Sequence, residues 1–97
     1  VPVEQIQEGI KNGVRKINID TDLRLASTGA VRRFLAENPS EFDPRKFLKA
    51  STQAMSDICK ARYEAFGTVG QAAKIKPISL DNMFMQYASG KLDAIIK

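Results

Sequence analysis

The chain has 97 residues, of which 43% are hydrophobic, and a formal net charge of +4. This length and apolar fraction are typical of one small folded domain and exclude a disordered chain. No apolar run reaches the roughly 20 residues that a membrane-spanning helix needs, so we expect no membrane partner. The single cysteine, Cys59, cannot form an internal disulfide, so we expect a reducing, cytoplasmic location. Because Cys59 follows Ile58 in a helical pattern, we expect it to pack in the core rather than act as a nucleophile.

The charge pattern and the absence of histidine exclude several functions. Lysine and arginine are scattered among the acidic residues, and no basic segment is interleaved with aromatic residues, so nucleic acid is not the expected partner. The sequence contains no histidine, which removes the commonest general base and the commonest metal ligand. A Ser-His-Asp triad is excluded, and we expect no zinc site made by this chain alone.

The first predicted elements are a helix and a short strand. Apolar residues at helical spacing run from Val3 to Ile10, and Asn12-Gly13 ends this helix. Residues 14–19 then read as a β-strand, with Asn18 and Asp20 on the polar face at its end. A lone strand leaves backbone N–H and C=O groups unpaired. We therefore expect a larger protein, or an oligomer, to supply the rest of the sheet.

A second helix is predicted after this strand. Its apolar stripe runs from Leu23 to Leu35, and Asn38-Pro39 stops it. Asp20, Thr21 or Asp22 would cap its start. Gly29 weakens the middle of this helix, so we expect it to be there to allow close packing.

Two further helices complete the pattern. Asp43-Pro44 marks the start of a long helix that reaches Phe66. Ser79 would cap a last short helix that Gly90 ends, and residues 91–97 would form a loosely held tail. The predicted fold is thus mostly α with one short strand, in a single incomplete domain. It divides into a helix–strand–helix part (1–38), a long helical arm (39–67) and a loop with a short helix and tail (68–97).

Helix, glycine, strand and helix in this order form the repeating unit of an α/β barrel. The sequences NIDTDLRLA (18–26), NPSEFDPRKFL (38–48) and DICKARYEAFG (57–67) occur at intervals that resemble the C-terminal portion of class II, metal-dependent fructose-1,6-bisphosphate aldolases. The resemblance runs from Val1 to about Tyr87. It implies that the chain is the C-terminal βα piece and helical arm of a (β/α)8 TIM barrel.

The resemblance also implies an activity and its partners. Class II aldolases reversibly cleave fructose 1,6-bisphosphate to dihydroxyacetone phosphate and glyceraldehyde 3-phosphate, usually with zinc held by three histidines. Those ligands and the acid/base aspartate of the family lie outside this sequence, so we expect no catalytic residue, bound metal or activity in this chain alone. The expected partners are the remainder of the barrel, a second subunit and the sugar bisphosphate.

Substrate-binding roles carry over to Asn18, Asp20, Thr21 and Arg45. Asn18 would hydrogen-bond the dihydroxyacetone phosphate portion, and Thr21 would offer its hydroxyl and a helix N-terminal N–H to phosphate. Asp20 would order the loop or a bound monovalent cation. Arg45 would grip the distal phosphate in the neighbouring subunit of a dimer.

Each of these residues also has a purely structural interpretation. Asn18 would then bond to backbone, Asp20 and Thr21 would only cap a helix, and Arg45 would face solvent. At the level of the whole chain, the alternative is a small helical interaction or dimerisation module without catalysis, built on the long helix. A strand excised from its barrel would pair with a second copy, or helices would swap between copies, in a helix-rich dimer.

Overall fold

The computed structural model describes residues 1–95, and Ile96 and Lys97 lie outside the described residues. It contains helices α1 (Val3–Lys11), α2 (Thr21–Glu37), α3 (Pro44–Ala65) and α4 (Leu80–Ala88). A single 3-10 turn at Ala72–Lys74 interrupts the predicted loop between α3 and α4. The predicted tail, 91–97, is therefore tested only up to Ile95, where residues 91–95 form no helix or strand and are exposed.

The predicted starts of α3 and α4 are confirmed together with their caps. The Asp43 side chain accepts a hydrogen bond from the backbone N–H of Arg45 at 3.0 Å, just before Pro44 opens α3. Ser79 accepts one from the backbone N–H of Asn82 at 3.2 Å. Each side chain satisfies a donor that a helix N-terminus leaves unpaired, which explains why these boundaries could be predicted from local sequence.

The predicted strand is wrong. Residues 14–20 are neither helix nor strand, and the part of the chain that the structure describes contains no β-strand. A strand exists only when a neighbouring strand pairs with its backbone. Within residues 1–95, the backbone N–H groups of 15–20 donate to no other residue, so the alternating pattern of this segment has no sheet to join.

Helices α2 and α3 pack against each other, and they are antiparallel. Asp22 in the first turn of α2 meets Arg62 in the last turn of α3, and the connection 38–43 joins their opposite ends. The hydroxyls of Ser27 and Ser51 contact each other across the pair. Ser51 is the only buried residue among those described. Gly29, which we expected to allow close packing, instead faces open space, since nothing within 4 Å would meet an added Cβ.

The chain does not close around a core of its own. No apolar side chain in residues 1–95 is fully buried, and Cys59, expected in the core, is only half-buried. The radius of gyration is 20.3 Å, whereas a compact domain of this length has one of about 13 Å. Helix α4 packs on none of the other described helices. Throughout residues 1–95, no helix combines the length and apolarity needed to cross a bilayer.

Candidate functional site

Three of the predicted site residues line one cleft. Asn18, Asp20 and Thr21 border an open cavity of about 370 Å³ where the irregular segment 17–19 runs into the start of α2. Ile6 of α1 and Arg62 of α3 close its other sides. The structure thus gathers polar groups from an irregular segment, a helix N-terminus and a second helix around one space.

Asn18 stands at the polar edge of this cleft with its amide oriented by a neighbour. Lys16 Nζ donates a hydrogen bond to Asn18 Oδ1 at 2.9 Å. The carbonyl side of the amide is therefore engaged, whereas its NH₂ group donates to no atom of residues 1–95. Because an amide NH₂ carries donors, Asn18 is suited to bind an acceptor oxygen placed in the cleft.

The first turn of α2 offers further donors to the same space. Thr21 is the first residue of α2, and Asp20 occupies the cap position without making a side-chain capping bond. Asp20 Oδ1 instead accepts from Arg24 Nε at 3.0 Å. The opening N–H groups of a helix have no intrahelical partner and carry a positive partial charge. In α2 the cap side chain does not claim these groups, unlike Asp43 in α3 and Ser79 in α4.

An ion pair ties this end of α2 to α3. Arg62 Nη2 donates to Asp22 Oδ2 at 3.0 Å, and the arginine side chain is only 20% exposed. From the sequence, Asp22 is a candidate cap of α2, and no role is predicted for Arg62. One signal was present, because Arg62 lies four positions from both Ile58 and Phe66 and so shares a helical face with these apolar residues. Its partner could not be found from sequence since the two residues are 40 positions apart.

Arg45 does not belong to this cleft. It lies at the start of α3, next to the end of α2, so the length of α2, roughly 25 Å at 1.5 Å per residue, separates it from Thr21. Its side chain is 89% exposed and forks onto Asp43, with Nη2–Oδ2 at 2.8 Å and Nε–Oδ1 at 3.1 Å. The side-chain hydrogen bond from Arg45, followed by that from its backbone N–H, lowers the pKa of Asp43, and the pair raises the pKa of Arg45.

The described residues do not fit a metal ion. No three acidic or thiol side chains within residues 1–95 come together as a ligand set, and the sequence has no histidine. The carboxylates nearest the cleft, Asp20 and Asp22, each face an arginine. Each of these carboxylates accepts one hydrogen bond from its arginine, and we assign no metal ligand to this chain.

Comparison with known proteins gives one consistent family. The family model described as "Fructose-bisphosphate aldolase class-II" matches residues 1–71. The chain is 74% identical over 93 residues to a fructose-bisphosphate aldolase of Pseudomonas aeruginosa, which covers 96% of the chain and 26% of that protein. It is 61% identical over 97 residues to one of Nostoc sp., covering 100% of the chain and 27% of that protein.

A shorter relative is matched over most of its length. Fructose-bisphosphate aldolase 2 of Rhodobacter capsulatus is 62% identical over 92 residues, which is 95% of this chain and 81% of that protein. Against the Pseudomonas and Nostoc proteins, the chain spans about a quarter of the relative's length. The family-model match, residues 1–71, includes the cleft residues and Arg45.

Proposed function

Because the chain belongs to the class II fructose-bisphosphate aldolase family, we propose that it is the C-terminal portion of such an enzyme. The complete enzyme reversibly cleaves fructose 1,6-bisphosphate to dihydroxyacetone phosphate and glyceraldehyde 3-phosphate. In this proposal the chain alone is inactive, and its task is to bind the substrate's phosphate ends and to form part of the subunit contact.

The observation that carries the proposal is the cleft at the N-terminus of α2. Within residues 1–95, the Asn18 amide and the first N–H groups of α2 are donors without acceptors, and they border the same space. A phosphorylated ketose supplies the acceptors that such donors need. We assign Asn18 to the oxygens of the dihydroxyacetone phosphate portion and Thr21 to its phosphate. Asp20 holds Arg24, which agrees with a role in ordering the loop.

The position of Arg45 supports a role in a second active site. It is separated from its own cleft by the length of α2, and its guanidinium is exposed. The fork to Asp43 fixes the orientation of the guanidinium and leaves other N–H groups free for a phosphate. We propose that Arg45 binds the distal phosphate in the neighbouring subunit, so that the active enzyme is at least a dimer.

The remaining parts of the enzyme follow from the family. We propose that residues 1–38 are the last units of a (β/α)8 barrel, in which the segment 14–19 becomes a strand, that 39–67 is a helical arm, and that 68–97 is a loop with a short helix and tail. The divalent metal, zinc in this proposal, is held by residues that this chain does not contain. We place the enzyme in the cytoplasm, where the free thiol of Cys59 stays reduced.

A subunit-mixing experiment on the complete enzyme tests the proposal. Asn18→Ala and Arg45→Ala should each lower aldol cleavage strongly, the second by raising the KM for the bisphosphate. When the two variants are unfolded together and refolded, half of the dimers are mixed. Each mixed dimer holds one site with an intact Asn18 and an intact Arg45, so about a quarter of the wild-type activity should return.

The controls separate the parts of the proposal. Each variant refolded alone should keep only its own low activity. Absence of aldol cleavage by the wild-type enzyme would refute the aldolase function itself. If the activity of the refolded mixture never exceeds the average activity of the two variants, Arg45 does not act in the neighbouring subunit. An unchanged KM for Arg45→Ala would remove this residue from the site.

A further inference from the structure

The α2 N-terminus carries a charge conflict. The proposed phosphate site includes the first turn of α2, but two carboxylates, Asp20 and Asp22, lie in or next to that turn. A carboxylate near a helix N-terminus stabilises the helix, yet it repels an anion that binds in the same place. The cleft therefore needs positive charge to accept a phosphate.

Two arginines meet these carboxylates, and they differ in environment. Arg24 reaches Asp20 from the next turn of the same helix, and both side chains are largely exposed, at 78% and 68%. Ion pairs between such exposed side chains contribute little free energy. Arg62 reaches Asp22 from α3, its side chain is only 20% exposed, and it borders the cleft. Charge compensation is stronger where water screens less, so Arg62 is the better placed of the two.

We propose that Arg62 is a positioning residue of the phosphate site that acts through Asp22. Its guanidinium cancels the charge of the Asp22 carboxylate beside the first turn of α2, which makes the cleft able to accept an anion. The bond at 3.0 Å also joins the last turn of α3 to the first turn of α2. This inference rests on the proposed aldolase function, since it names what allows phosphate to bind at that site.

The test measures steady-state kinetics of the complete enzyme with fructose 1,6-bisphosphate. Arg62→Gln keeps a hydrogen-bonding side chain but removes the charge. It should raise KM about tenfold, the effect of one uncompensated like charge near a partly exposed anion site, with kcat changed less than about threefold. The double variant Arg62→Gln with Asp22→Asn should return KM to within about threefold of wild type. Arg62→Lys, which keeps the charge, should stay close to wild type.

Arg33→Gln is the matched control. Arg33 also bonds a carboxylate at 3.0 Å, that of Glu37, but both side chains are exposed and lie at the other end of α2. It should leave KM unchanged. Thermal unfolding of each variant detects loss of folding. If Arg62→Gln does not fold, it is replaced by a comparison of Arg62→Lys with the double variant Arg62→Lys, Asp22→Asn. Both should have a KM near that of wild type, and a tenfold rise of KM in either would contradict the proposal.

Two results would overturn the inference. If Arg62→Gln leaves KM unchanged, the charge of Arg62 is irrelevant to substrate binding. If the double variant is as impaired as Arg62→Gln alone, Arg62 contacts the substrate itself or only supports the fold, and it does not act through Asp22. A wild-type enzyme without aldol cleavage would instead mark failure of the proposed function, on which the inference depends.

Discussion

The Asp43 side chain makes two kinds of contact with Arg45, and each has a different effect. The Asp43 carboxylate caps α3 through the backbone N–H of Arg45 and also accepts the guanidinium fork of the same residue. The cap holds the start of the helix, and the fork directs the arginine that we assign to a second active site. Because both bonds favour the charged carboxylate, they lower the pKa of Asp43.

This lowered pKa predicts an acid-dependent loss of helix in α3. A carboxyl whose folded pKa is depressed stabilises the fold above its ordinary pKa, here 3.8, and loses that contribution as the pH falls through the lower folded value. Circular dichroism of the chain between about pH 2 and pH 5 should show helix loss that depends partly on Asp43. Asp43→Asn still caps the helix but does not titrate in this range.

The difference between the two pH profiles isolates Asp43 from the other carboxylates. Wild type should lose more helix at the acid end than Asp43→Asn, and the gap should shrink at high salt because Arg45 is exposed. Coincident profiles at low salt would show that the charge of Asp43 contributes nothing to α3.

Helix α2 contains a glycine, Gly29, for which the described contacts give no packing reason. Gly29 lies in the middle of the helix, where an added Cβ meets nothing within 4 Å. Glycine in a helix interior costs roughly 1 kcal/mol relative to alanine. Gly29→Ala should therefore raise the helical content and the thermal midpoint of the 97-residue chain, as followed by circular dichroism.

Gly67 after α3 provides the matched comparison. An added Cβ there also meets nothing within 4 Å, but the backbone has φ +73°, where alanine is strained. Gly67→Ala should destabilise the end of α3, so the two substitutions should act in opposite directions. If Gly29→Ala lowers the midpoint as well, then the face that carries Gly29 is covered, for example by a second copy.

The bounds of the helices could be predicted from sequence better than the 3-10 turn or the contacts between helices. Capping residues and stripes act within one element, so the start of α3 at Pro44 follows from local chemistry, and its end was misjudged only by one residue, Phe66. The 3-10 turn at Ala72–Lys74 has no such signal. The Asp22–Arg62 bond was missed because it depends on how α2 and α3 pack. The gathering of Asn18, Asp20 and Thr21 was predictable since they adjoin in sequence; their role as a site depends on the family.

The molecule as a whole has more apolar surface than it can cover. Large side chains such as Leu25, Ile75 and Phe84 are 66%, 75% and 69% exposed, and within residues 1–95 no apolar residue is fully buried. Burial of apolar surface is the main favourable term in folding. The composition is typical of one small folded domain, but within residues 1–95 the apolar faces of the helices stay largely uncovered. That the chain is a single incomplete domain stays a prediction.

Segment 14–19, which has no strand to pair with in residues 1–95, allows the need for further protein to be measured. The backbone N–H groups of 15–19 have no acceptor within residues 1–95, so in the 97-residue chain these amides should exchange with solvent deuterium at nearly unprotected rates. In the complete enzyme, where we propose that the segment is a barrel strand between two others, the same amides should be among the slowest to exchange. Hydrogen–deuterium exchange with mass spectrometry compares the two directly, and the amides of α3 serve as an internal reference. Strong protection in the 97-residue chain that rises with its concentration would show that a second copy supplies the missing edge, and fast exchange in the complete enzyme would show that the segment joins no sheet there either.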